Sequence, residues 1–67
     1  MIIQVRTERG IIGVHDLQYP RDKAIAHGYS YSFTAHHCEY EGKVFKADVY
    51  SKCLDTKGLK HEFILVI

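Results

Sequence analysis

Charge of one sign is what this chain lacks. Nine lysines and arginines stand against eight aspartates and glutamates, a formal net charge of +1. A protein drawn to nucleic acid or to a membrane surface by its overall field shows a basic excess. The balance disfavours that class, although it leaves room for a local patch. Long apolar runs are missing as well. The longest is Phe63–Ile67, far below the roughly 20 residues a spanning helix needs. Met1–Arg6 has neither the basic start nor the long apolar stretch of a secretory signal. No membrane partner is expected. Cysteine is scarce: Cys38 and Cys53 are too few for a disulfide scaffold, so the reading is a cytoplasmic protein with reduced thiols. There is no tryptophan and a single proline, and repeats, low-complexity tracts and linkers are absent.

What is present is enough for one domain, residues 1–67. A chain this short buries only about 60% of the surface it exposes when unfolded. Its stability is marginal unless a metal, a disulfide or self-association adds to it. The clearest pattern is Tyr29–Ala35, in which Tyr29, Tyr31, Phe33 and Ala35 alternate with Ser30, Ser32 and Thr34. This is the period-2 signature of a half-buried antiparallel strand.

Other elements follow from their punctuation. Met1–Thr7 and Ile11–Val14 read as strands. With Arg9-Gly10 as a two-residue loop, Val5 faces Val14 and Thr7 faces Ile12. Pro20 suits the first position of a helix over Pro20–His27. Gly28 suits the left-handed residue that ends it, and Tyr29 can then pack back on Ala24 or Ile25. Glu39–Lys43 is a turn. A three-residue loop with Gly42 left-handed pairs Glu39 with Lys43, Tyr31 with Ser51, Phe33 with Val49, Ala35 with Ala47 and His37 with Phe45. It gathers the apolar side chains on one face. The opposite face then carries Ser32, Thr34, His36 and Cys38 beside Val44, Lys46, Asp48 and Tyr50. A two-residue loop scatters the apolar set, so the three-residue loop is preferred. Asp55–Gly58 is the next turn and Leu59–Ile67 the last strand. Phe63–Ile67 is apolar at every position, and a strand greasy on both faces is covered on both. One two-turn helix cannot cover both faces of a sheet, so a second copy or a partner is expected over the other.

Candidate chemistry is thin. His36, His37, Cys38, Cys53 and His61 invite a zinc reading, but their spacing matches no standard finger. Neighbouring His36 and His37 also point to opposite faces of a strand. Cys38 with His36, two apart on one face, has the composition of a nucleophile pair, yet neither an orienting group nor an oxyanion donor is evident. No carboxylate pair, phosphate loop or dinucleotide fingerprint is present. Neither a metal nor a cofactor is expected, and the chain is read as not an enzyme.

The expected fold is α+β, a single small domain of order β-β-α-β-β-β with one short helix packed on a mostly antiparallel sheet. The expected function is a small non-catalytic protein-interaction module of an accessory, regulatory or inhibitory kind, acting on a protein partner and as a homodimer. In size and style the chain is similar to many small accessory proteins of phages and plasmids. The alternative is nucleic-acid binding through the outer sheet face and the basic last turn. The candidate interaction surface is His36, Lys46, Tyr50, Lys52, Lys57, Lys60, Phe63 and Leu65.

Overall fold

A computed structural model describes residues 2–58 and 60–67. The order is β1 (Ile3–Thr7), β2 (Gly10–Val14), α1 (Arg21–Ala26), β3 (Ser30–Tyr40), β4 (Lys43–Cys53) and β5 (His61–Val66). The five strands form one sheet in the order β2-β1-β3-β4-β5, every neighbouring pair antiparallel. Met1 and Leu59, expected at strand starts, lie outside the described residues.

The first hairpin turns through Glu8-Arg9, one residue earlier than expected. Thr7 pairs with Gly10, Val5 with Ile12 and Ile3 with Val14. The register moves by two, so every side chain keeps its face. The cause lies in Thr7, whose hydroxyl donates to the Gly10 carbonyl at 2.8 Å and accepts from the Arg9 N–H at 3.1 Å.

The helix begins one residue later than expected, with Pro20 as its extended N-cap (φ −64°, ψ 136°). Its end follows the sequence closely. Gly28 sits at φ 89°, its N–H donates to the Ile25 carbonyl at 3.2 Å, and the Tyr29 N–H donates to the Ala24 carbonyl at 2.9 Å. That pair of bonds is a Schellman motif, and it throws Tyr29 back against Ala24.

The second hairpin departs most from expectation. Its loop has two residues, Glu41 (φ 49°) and Gly42 (φ 77°), with Tyr40 paired to Lys43. Both positive φ values are those of a type I′ turn, whose twist matches that of the flanking strands. The apolar set does not scatter, because β3 carries two irregularities, one between Ala35 and Cys38 and one between Tyr31 and Phe33. The first restores Ala35↔Ala47 and Phe33↔Val49, as expected. It also turns Cys38 inward opposite Phe45, whereas the sequence placed it outside. The second turns Tyr31 outward opposite Tyr50, with the rings edge to face at 5.9 Å, instead of inward opposite Ser51.

The irregularity at His36–His37 has its own partner. It leaves two backbone N–H groups off the ladder, and the Glu8 carboxylate accepts both, at 2.8 Å from His36 and 3.3 Å from His37. Those hydrogen bonds to the charged form hold Glu8 below the usual carboxylate range. The first hairpin is thereby fastened across β3. Arg9, beside Glu8, lays its guanidinium 4.3 Å over the Phe33 ring.

The sheet does not stay flat. The chain leaving β2 runs alongside β5: His15 N–H donates to Phe63 O at 2.8 Å, Leu65 N–H to Asp16 O at 3.0 Å, and Tyr19 N–H to Leu65 O at 2.9 Å. A parallel bridge joins Tyr19 to Val66. The two ends of the sheet therefore meet, and one face closes around a core of Val5, Val14, Ala35, Cys38, Ala47, Val49 and Leu65. On the other face α1 covers one end, where Ala24 clusters with Tyr50, Ile64 and Val66, flanked by Tyr19 and Tyr29.

The double-sided β5 is thus covered by its own chain. Leu65 and Phe63 point into the rolled core, and Ile64 and Val66 lie under the helix side. The argument that a second copy must cover one face falls away. A helix need cover only one side of β5 when the sheet wraps over the other.

Candidate functional site

Strand lengths create the most distinctive surface. β4 has eleven residues and β5 six. Pairing between them runs only from Cys53↔His61 to Asp48↔Val66. Among the described residues, the stretch of β4 before Asp48 has β3 on one edge and no strand on the other. Antiparallel pairing alternates, and the turn-flanking residue Lys43 bonds to Tyr40 across the hairpin. Val44 and Lys46 therefore direct their N–H and C=O groups away from β3, into the open edge. Val44 is 61% exposed.

Beside this edge is an open cleft of about 640 Å³, lined by Leu17, Tyr40, Val44, Phe45 and Ile67 together with Gln18, Glu41 and Lys43. Its walls come from three places. The hairpin tip supplies Tyr40–Phe45, the strap after β2 supplies Leu17 and Gln18, and the end of β5 supplies Ile67. Leu17, Tyr40 and Phe45 also pack against the rolled core, so the cleft floor is continuous with it. Ile67, 67% exposed, stands at the rim. An unpaired strand edge next to an apolar cleft can take an extended segment. Its backbone completes the ladder, and alternate side chains enter the cleft.

Acids and lysines are mixed around the edge. The Thr34 hydroxyl donates to Asp48 Oδ1 at 2.9 Å, and His37 Nε2 lies 2.8 Å from Glu39 Oε1. The Glu41 carboxylate beside Tyr40 raises the Tyr40 pKa. Lys43 and Lys46 are exposed. The ion pairs among the described residues are His15–Glu62 and His37–Glu39, and neither lysine takes part.

The residues expected to form an interaction surface do not gather in one place. Lys46 lies on the open edge of β4, and His36 is exposed on the Glu8-bound irregularity. Lys57 and Lys60 are exposed around the last turn, and Lys52 is half-buried with its ammonium 5.5 Å from the Tyr29 ring. Tyr50 and Leu65 are buried, at 4% and 0% exposure, and Phe63 packs against the core. Their place on the candidate surface is corrected, because α1 covers Tyr50 of β4 and the rolled sheet encloses Phe63 and Leu65 of β5. The outer-face nucleic-acid reading thereby loses Tyr50 as a stacking ring; Tyr31, 57% exposed, is the tyrosine presented there.

The candidate nucleophile pair also separates. His36 is outside, while Cys38 is fully buried and burial pushes its thiol pKa up. Cys53 and His61 do pair across the last hairpin, but the thiol donates to the Asp55 carbonyl at 2.9 Å and His61 Nε2 lies 2.9 Å from Gly58 O. Among the described residues no three His, Cys, Asp or Glu side chains gather to hold a metal ion. No helix is long and apolar enough to cross a membrane.

Elsewhere, Tyr29 donates to Glu62 Oε1 at 2.9 Å, and desolvation with that carboxylate raises its pKa to about 12. This contact ties the end of the helix to β5 and leaves no free reactive group.

No protein-family model, curated protein or solved structure matches this chain. Sequence reasoning missed Leu17, Tyr40, Val44, Phe45 and Ile67 as a group. The available signal was the length of the second hairpin, whose β4 runs beyond the stretch that pairs with β5 among the described residues.

Proposed function

We propose that this chain is a small non-catalytic protein-interaction module that docks an extended segment of a partner along the open edge of β4. The observation that carries this reading is the outer edge of Lys43–Ala47, which pairs with no strand among the described residues, beside the apolar cleft of Leu17, Tyr40, Phe45 and Ile67. The early part of β3 also lacks a neighbour, but there the Arg9 guanidinium lies over Phe33. A domain of this size has little chain with which to enclose a substrate. A strand edge needs no enclosure, since main-chain hydrogen bonds give affinity and side-chain pockets give selectivity.

The test is site-specific photo-crosslinking in the source cells, with the crosslinking residue placed at Ile67 and, as control, at the exposed helix residue Ile25. A discrete protein partner is expected from position 67 and not from position 25. Val44→Pro, which removes an N–H from the open edge and none from the ladder, should abolish that crosslink with the fold retained. A crosslink that is insensitive to Val44→Pro, or equal at both positions, refutes edge docking.

A further inference from the structure

We infer that the strap from His15 to Tyr19 is a latch: it lifts off β5 as one piece while the five strands stay paired, and so bares a strand edge that the closed fold covers. The latch is independent of docking on β4. Closure of the sheet rests on few bonds. β4 and β5 are joined by six pairs, from Cys53↔His61 to Asp48↔Val66. Among the described residues the strap meets β5 through three main-chain hydrogen bonds: His15 N–H to Phe63 O, Leu65 N–H to Asp16 O and Tyr19 N–H to Leu65 O. One ion pair lies beside them, His15 Nδ1 to Glu62 Oε1 at 3.8 Å, and both side chains are partly exposed. A pair of that kind contributes little. His15, Asp16 and Gln18 are exposed, so the half-buried Leu17 and Tyr19 are the strap's anchors.

Two features make the strap a single unit. Gln18 N–H donates to Asp16 Oδ1 at 3.0 Å, a bond within the strap that lifting leaves intact. Buried residues fix the chain on either side, Val14 at the end of β2 and Ala24 in α1. A short segment with few buried contacts opens at a lower free energy than the strands it covers. Once it lifts, Phe63 C=O and both main-chain groups of Leu65 lack partners, which makes that edge a template for an extended segment. Leu17 and Gln18 leave the cleft wall in the same movement. The closed and open forms thus offer different surfaces to a partner.

β5 contains its own control. Leu65 N–H turns toward the strap, so alternation along the strand turns the neighbouring Ile64 N–H toward Tyr50 of β4. Amide exchange of the full chain, followed by NMR at rising urea below the unfolding transition, tests the latch. His15, Tyr19 and Leu65 should share one protection factor, at least about tenfold below that of Ile64 and insensitive to urea, whereas protection of Ile64 falls as urea rises. A smaller gap, or a urea dependence for Leu65 equal to that of Ile64, means that the seam opens only with the whole fold. Unequal protection of His15, Tyr19 and Leu65 means that the strap frays residue by residue. Either result overturns the latch.

Discussion

Coverage of β5 by its own chain has a measurable consequence. Leu65 is fully enclosed in the rolled core and Ile64, 1% exposed, sits on the opposite face beneath α1. Truncating either to alanine removes three carbons, about 2.4 kcal/mol at about 0.8 kcal/mol per buried methylene. A residual cavity adds on the order of 1 kcal/mol where the surroundings cannot close up. Leu65→Ala and Ile64→Ala should therefore each cost about 3 kcal/mol. A 67-residue domain at about 0.05–0.15 kcal/mol per residue has roughly 3–10 kcal/mol in total. Either change should thus lower Tm by more than about 10 °C or leave the chain unfolded at room temperature. Urea unfolding followed by circular dichroism, at protein concentrations differing about twentyfold, reads both magnitude and coverage. The midpoints should be independent of concentration for the wild type and both variants. A loss below about 1 kcal/mol for Ile64→Ala, or a midpoint that rises with concentration, would refute coverage of the outer face by α1.

Two further outcomes concern the turns. The pKa of Glu8 is lowered by the N–H groups of His36 and His37, so its contribution is present above the unfolded value of 4.5 and is lost as pH falls through the lower folded value. Glu8→Gln should flatten the acid limb of the stability–pH curve and shift the His36 and His37 amide resonances; an unchanged acid limb would count against the link. Gly28→Ala, forced to φ 89° at the helix end, should cost about 1 kcal/mol by chemical denaturation, and a neutral or stabilising result would mean that the Schellman motif is not formed.

Local chemistry made much of the fold legible. Gly28 ending the helix, Tyr29 folding back on Ala24, Phe33 and Ala35 facing Val49 and Ala47, and the need of Phe63–Ile67 for cover on both sides, met except at the exposed Ile67, all follow from one residue and its near neighbours. Interactions between segments distant in sequence decided what was misread. The register of the second hairpin depends on an irregularity at His36–His37 whose freed N–H groups are taken by Glu8, 28 residues earlier. A sequence pattern of period two cannot show that an extra residue is tolerated there, because the compensating acceptor is not local.

The candidate site is the least local feature of all. The sequence by itself determined where turns fall, which end of the helix is capped and which strand must be buried twice. Tertiary structure decided that the sheet rolls up so that one chain covers both faces of β5. It also set the register that places Val66 opposite Asp48 and brings Val44 near Leu17 and Ile67. Propensity and periodicity act over a few residues. Closure of a sheet is settled by how whole strands align.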